Sequence, residues 1–344
     1  MATNLTYNAT SGVNYTGLRP SKLLCFLLLL ATFVFGLILN TLYLWVLCFR
    51  MKRNVNNTWF FHFIITHLIF IVTMPFLAVF FLLYPHWVFG VFMCKLINFL
   101  LSFSMYATVF FLTAISTDRY CLVFQPHFYK KHMNAHRSSV ICLLFWGLAF
   151  VCSSPYLAFR QVLQNNNISL CNNDYALTGR WDAEPILQAK IKWGMFCFRL
   201  LVGFLLPFFI ITFCYLNIAF KINKENLTKS NKPYKIIWIS IISFFISWTP
   251  YHVWYGMSVE KGLFRESTLE ALKIFTICST CFNSCFTPTL YLFIVENFKK
   301  VFKKSTLSIF EEVFSKSTED RSESHSLSVK IKNTHDNTIS GDIS

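Results

Sequence analysis

The sequence predicts an all-α membrane protein, a bundle of seven transmembrane helices followed by a short amphipathic eighth. Three observations predict it. Of the 344 residues, 55% are hydrophobic, 40 are Phe and only 14% are charged, whereas a soluble domain carries about a quarter charged residues. The apolar residues form uninterrupted runs: Leu23–Cys48, Trp59–Leu83, Leu96–Thr117, Ser138–Phe159, Trp193–Phe220, Ile236–Val259 and Ile274–Val295, none containing Asp, Glu or Lys. Each is long enough to cross a bilayer as a helix, and a helix satisfies its own backbone polar groups in lipid. The third observation is where the net charge of +15 sits. Arg50, Lys52 and Arg53 follow the first run, and Lys130, Lys131 and Arg137 follow the third. Lys221, Lys224, Lys229, Lys232 and Lys235 precede the sixth, and Lys299, Lys300, Lys303 and Lys304 follow the seventh. These are alternate loops, so the positive-inside bias puts them in the cytoplasm and the N-terminus outside. Such a collar meets anionic inner-leaflet lipid; it does not indicate a nucleic-acid partner.

Taken in order, residues 1–22 are polar and carry glycosylation sequons at Asn4, Asn8 and Asn14, with a fourth at Asn167 in the second outer loop. All four fall on the side already assigned as extracellular. Sequons at Asn56 and Asn226 fall on the cytoplasmic side and are expected to stay unmodified. The bundle is expected over 23–295. In the second span Pro75 predicts a kink, and the Trp87-centred loop from Tyr84 to Gly90 is expected to pack over the bundle.

The third span organises the rest. The twenty-five steps from Cys94 to Arg119 cover roughly 37 Å of helix, placing a cysteine at one membrane face and Asp118-Arg119-Tyr120 at the other. Of twelve cysteines most lie inside spans, where a thiol is a small core residue. Cys94 and Cys171 both fall at extracellular positions and are the pair expected to bridge, drawing the long loop from about Arg160 to Lys192 over the bundle mouth. Pro207, Pro250 and Pro288 predict local breaks in spans five to seven. Residues 296–304, with Phe298, Phe302 and four lysines, read as a helix lying on the inner leaflet. Residues 305–344 read as a disordered Ser/Thr-rich cytoplasmic tail.

With these spans in order, the chain resembles the rhodopsin-like G-protein-coupled receptors. The resemblance covers roughly Leu23 to Lys304 and rests on Asn40, Cys94, Asp118-Arg119-Tyr120, Trp146, Pro207 with Tyr215, Phe244, Trp248, Pro250, Pro288 and Tyr291, each in its expected span. Trp87-Val88-Phe89-Gly90 and the long outer loop are similar to the chemoattractant group, the formyl-peptide, chemerin and anaphylatoxin receptors, and the runs Tyr43-Leu44-Trp45-Val46-Leu47 and Ser279 to Lys304 resemble an orphan member of it. The resemblance implies a multi-pass plasma-membrane receptor whose extracellular ligand acts on a heterotrimeric G protein, the inhibitory class being favoured. It also implies that the tail is phosphorylated by a receptor kinase and recruits arrestin. In the family, Arg119 pairs with the adjacent acid at rest and swings toward Tyr215 when active. The remaining motif residues, Tyr120, Phe244, Trp248, Pro250, Pro288 and Tyr291, serve activation. An acid on span six, found in many relatives, has no counterpart near Ser230–Asn231.

Arg199 is the one Asp, Glu, Lys or Arg inside any of the seven runs, eight residues before Pro207. An intramembrane charge usually faces a cavity, and a guanidinium fits a carboxylate or phosphate bidentately. The alternative is a side chain snorkelling to the outer interface. Leu101, Met105, Trp248, Tyr251, His252 and Tyr255 are candidate walls of a ligand site, or plain packing. No Asp lies in the outer half of span three, which disfavours a biogenic amine. His67 stands where most family members have a sodium-binding Asp, and Thr287 stands before the span-seven proline in place of Asn or Asp. Ordinary sodium modulation is therefore not expected, and His67 reads as a neutral packed imidazole or as a proton sensor.

No metalloprotease, Walker or nucleophile-elbow motif is present, so no enzyme, metal or cofactor is expected. An atypical receptor that binds ligand without G-protein turnover is the main alternative. A transporter would call for several midplane polar groups and internal repeats.

Overall fold

The computed structural model describes residues 20–165, 167–175, 185–224 and 232–294. The described residues up to 290 pack as one unit; of a second, 291–344, only the closing helical residues 291–294 are described. The sequons at Asn4, Asn8 and Asn14, residues 230 and 231, the eighth helix and the tail lie outside the described residues.

The helices follow the apolar runs with boundaries set by turn chemistry. α1 spans Pro20–Phe49; α2 (Val55–Val72) starts at Asn54, whose side chain accepts from the Asn57 N–H. That is an N-cap bond on one of the first-turn donors that have no partner within the helix. The expected kink in span two is a break at Thr73, before α3 (Met74–Leu83) with Pro75 in its first turn. α4 runs Gly90–Phe124, 35 residues, longer at both ends than the apolar core of span three. α5 (Pro126–His132) forms the second inner loop, and Asn134 caps α6 (Ala135–Ser153) by accepting from the Arg137 N–H. Pro155 opens the short α7 (Pro155–Phe159).

The outer loop corrects the all-α expectation. It is an antiparallel hairpin, β1 (Arg160–Asn165) with β2 (Ile168–Asn173), pairing Val162 with Cys171 and Gln164 with Ser169. Six-residue segments between turn-forming Asn residues are too short for a stable helix, and Asn167 takes the left-handed conformation (φ 61°) that Asn tolerates. The expected bridge is present: Cys94 and Cys171 are joined, with Cα atoms 5.7 Å apart, fixing β2 over the start of α4. Trp87 is buried at 3% exposure against Cys94 and Ile97, so the first outer loop does pack over the bundle.

Span five is α8 (Pro185–Leu200) and α9 (Leu206–Lys224), joined by a π-helical turn over Leu201–Leu205 just before Pro207. Proline has no N–H to give the preceding turn, which widens there. α10 (Lys232–Val259) continues through Pro250 and α11 (Glu266–Ile294) through Pro288, each proline leaving one carbonyl of its own helix without the usual N–H donor. Five segments among the described residues are long and apolar enough to cross a membrane: Pro20–Phe49, Val55–Leu83, Gly90–Phe124, Ala135–Phe159 and Pro185–Lys224. α10 and α11, of 28 and 29 residues, each reach about 42 Å.

Candidate functional site

Two polar centres lie along α4, one against its middle at Ser102, Met105 and Tyr106 and one near its C-terminal end at Asp118. The outer one is built around Arg199, which is only 5% exposed, so the snorkelling alternative is not what the fold adopts. The widened turn at 201–205 lies between Arg199 and Pro207, and Gly203 lets it approach α4 closely: a Cβ there would sit 3.0 Å from Met105 Cε. Arg199 Nη1 donates to Ser102 Oγ at 3.3 Å and to the Tyr156 hydroxyl; Nη2 donates to Met105 Sδ at 3.2 Å. Four tyrosine rings surround the guanidinium, Tyr251 at 4.9 Å, Tyr156 at 5.4 Å, and Tyr106 and Tyr255 at 5.9 Å from carbon to centroid. Their faces attract a cation without neutralising it. Nε has no hydrogen-bond partner, and no carboxylate lies within 4.0 Å among the described residues.

Of the other candidate wall residues, Met105, Tyr251 and Tyr255 join this centre. His252 is buried on the Phe204 ring (4.7 Å), neither ring nitrogen hydrogen-bonded. Leu101 packs instead with the Trp87 group beneath the hairpin. Sequence reasoning missed Tyr106, Tyr156 and Ser102, which look like ordinary span residues, and it missed Arg160. The Arg160 guanidinium lies 5.9 Å from the same Tyr156 ring, its own Nε buried without a partner. The hairpin thus brings a second cation to the ring that Arg199 uses.

The inner centre is Asp118, 6% exposed. Its Oδ1 accepts from Trp59 Nε1 at 3.0 Å and from the Tyr129 hydroxyl at 2.6 Å. Arg119 Nε is 4.0 Å from Oδ2, a loose ion pair in which that nitrogen makes no hydrogen bond. Burial, and then the hydrogen bond to Asp118, push the Tyr129 phenol above its usual range, so it remains a donor at physiological pH. Tyr120 turns away and stacks on Phe124 at 4.5 Å. Tyr215 is fully buried against Trp238, 5.2 Å between centroids. The Trp59 and Tyr129 partners could have been suspected only from their proximity to a membrane face.

Between the two centres, Trp248 packs on Phe244 (5.9 Å), Phe70 (6.2 Å) and Tyr251 (5.6 Å), which links it to the Arg199 cage. Pro250 is buried in the same helix. Asn40 is buried and donates to the Gly36 and Ser284 carbonyls, at 2.8 and 3.4 Å. His67 is buried edge-on to Phe63 (4.9 Å), with no hydrogen-bond partner on Nε2. Thr66 and Thr108 hydrogen-bond each other at 2.7 Å. Among the described residues no group of three or more His, Cys, Asp or Glu could hold a metal ion. The side chains of Thr287, Pro288 and Tyr291 lie outside the described residues.

Comparison with known proteins fits this arrangement. Residues 39–291 match the model for the 7 transmembrane receptor (rhodopsin family). The chain belongs to that family. It is 44% identical over 299 residues to the Probable G-protein coupled receptor 33 of Homo sapiens, covering 86% of this chain and 89% of that one. The Mus musculus protein of the same name is 41% identical over 313 residues, 89% of this chain and 91% of that one. The Chemerin-like receptor 1 of Bos taurus is 36% identical over 273 residues, 77% of this chain and 75% of that one. The chain is therefore a multi-pass rhodopsin-family receptor and not an enzyme, and its resemblance to the chemoattractant group extends to a relative named for chemerin.

Proposed function

We propose that the chain is a seven-helix plasma-membrane receptor that transmits binding of an extracellular anionic ligand to a heterotrimeric G protein. Residues 1–22 are the glycosylated outer segment and 23–295 the bundle; 296–304 are the surface helix and 305–344 the cytoplasmic tail. The observation that carries the ligand class is the buried Arg199 guanidinium, ringed by tyrosines and within 4.0 Å of no carboxylate among the described residues. An acidic lipid mediator or the carboxyl terminus of a peptide supplies the missing charge in a site already desolvated. Binding would shift the helix populations through Trp248 and Pro250. It would free Arg119 and Tyr215 to meet the G protein, while the tail serves the receptor kinase and arrestin. The likeness to Chemerin-like receptor 1 favours a chemoattractant ligand, and the resemblance to that group favours the inhibitory class of G protein.

The test is nucleotide exchange on inhibitory-class G protein in cells with confirmed surface expression, under a panel of anionic lipids and chemotactic peptides. Wild type is compared with Arg119→Ala and Arg199→Ala. Exchange that needs Arg119 and is lost with Arg199 supports the reading; an agonist whose potency ignores Arg199 refutes the ligand class. A second reading, a receptor that internalises ligand without turnover, is favoured by His67, where a buried imidazole stands in place of a carboxylate. Ligand uptake without exchange would select it.

A further inference from the structure

The start of α6 gathers basic groups that have no carboxylate beside them among the described residues. Arg53, in the turn before α2, reaches across to α6, where its Nη2 donates to Ser139 Oγ at 3.4 Å. Arg137, in the first turn of α6, folds back so that its Nη1 donates to the His132 carbonyl at 2.6 Å. His132 ends α5, whose last turn also carries Lys130 and Lys131. All four cations are exposed. A hydroxyl and a carbonyl orient the two guanidiniums without neutralising them. The one acid in the segments 49–55 and 117–137 is Asp118, which is buried and accepts from Trp59 and Tyr129.

The same helix then turns apolar on its outward faces. Leu143 lies one turn beyond Ser139, and Leu144 two turns beyond Arg137; both are 66% exposed. Each arginine therefore stands at the foot of an exposed apolar column. The columns suit acyl chains, and the basic turn at their foot lies at headgroup level. A soluble anion would meet the cations alone, whereas a lipid meets both.

We propose that this turn is a seat for an inner-leaflet lipid whose headgroup carries several phosphates, a polyphosphorylated inositol lipid. The guanidiniums of Arg53 and Arg137 take its phosphates, since their planar fork fits phosphate bidentately. Lys130 and Lys131 add point charges, and the acyl chains lie along Leu143 and Leu144. Four positive charges at one turn call for more negative charge than a phosphatidylserine headgroup holds. The assignment to the inner leaflet rests on the proposed topology; binding in detergent, where both faces are open, does not.

The test is native mass spectrometry of the purified full chain in detergent, titrated with phosphatidylinositol bisphosphate or with phosphatidylserine. The bisphosphate should bind roughly tenfold or more tighter. Arg53→Gln with Arg137→Gln should weaken it roughly twentyfold to thirtyfold, about fivefold for each cation removed. Arg50→Gln with Lys224→Gln takes the same charge from other basic turns and should weaken it less than about threefold. Soluble inositol trisphosphate should displace the lipid only at about tenfold or greater excess, because it lacks the acyl chains. Equal losses in the two double variants overturn the proposal, since the charge would then act as a diffuse collar. Phosphatidylserine binding as tightly as the bisphosphate overturns it too. So does inositol trisphosphate competing at parity, which would make the turn a site for a free anion. These last two comparisons use the wild-type chain and stand even if a variant fails to fold.

Discussion

The two polar centres of α4 hold opposite charges under opposite conditions. Near the C-terminal end of α4 the carboxylate of Asp118 has two neutral donors, Trp59 and Tyr129, and an adjacent guanidinium at 4.0 Å. Against the middle of α4 the Arg199 guanidinium has a hydroxyl, a phenol and a sulfur, and no carboxylate among the described residues. The inner charge is satisfied within the chain, so what happens there is exchange of one internal partner for another. The outer charge is stabilised only by dipoles and ring faces, and an ion buried that way is costly unless something of opposite sign pairs with it. On the proposed function the outer arrangement would be completed by the ligand and the inner one held closed until it is.

The sharpest way to break this contrast is at Arg199. Replacing it with Met should lower the affinity of an anionic agonist by a hundredfold or more, in the range for losing one partner of a buried charge pair. The same substitution removes an unpaired buried ion, so the thermal midpoint of the ligand-free receptor should rise. Radioligand binding and a thermal-shift series on one preparation read both. A midpoint that falls would mean that the tyrosine cage already satisfies the cation and that no outside anion is called for.

The legibility of the sequence divides along the same line. The membrane class, five of the apolar spans and the positions of Asp118 and Arg199 were readable because each depends on composition or on spacing along one chain segment; the Cys94–Cys171 bridge, across 77 residues, was readable because both cysteines fall on one side of the spans. The tyrosine cage was readable only in part: Tyr251 and Tyr255 were candidate walls, but Tyr106 and Tyr156 come from α4 and α7, and in sequence each is one more aromatic among apolar neighbours. Arg160 was passed over because it ends an apolar run and looked like ordinary loop charge. The hairpin was missed for a similar reason: its strands acquire their order from the disulfide and from Trp87, which are remote in sequence.

The next effect in size tests whether the lid belongs to the outer centre. Cys171→Ser should cost about 2–4 kcal/mol, the usual worth of a disulfide, and it should release β2, the partner of the strand that carries Arg160 toward Tyr156. Surface expression at reduced temperature keeps the variant measurable. Agonist affinity should then fall further in Cys171→Ser than in Arg160→Gln. Equal losses would mean that the bridge acts on the site only through Arg160.

Smaller, and at the other end, Tyr129→Phe removes one donor from Asp118 and leaves Trp59 in place. The loss is about 1 kcal/mol, so basal nucleotide exchange should rise roughly threefold to tenfold, with agonist affinity raised in the same direction as the resting state weakens. Trp59→Phe should act alike, and the double variant should exceed either alone. If basal exchange does not move in any of the three, Asp118 is an anchor for the helix end and not part of a latch.

The smallest expected effect links backbone to site. Gly203 sits in the π-helical turn, and a methyl there would lie 3.0 Å from Met105 Cε and 3.2 Å from Tyr106 Cε1. The Met105 methyl is the flexible end of a side chain and gives way easily; the Tyr106 ring, 2% exposed, does not. Gly203→Ala should therefore displace Met105, whose sulfur accepts from Arg199, and change agonist affinity about twofold to threefold, a fraction of one hydrogen bond. Gly203→Val reaches the ring as well and should cost more. Met105→Leu in the Gly203→Ala background separates the two routes. If the pair behaves like Met105→Leu alone, the glycine matters only because it lets the thioether stand beside the guanidinium. If the losses add, the width of the turn itself sets how far Arg199 enters the bundle.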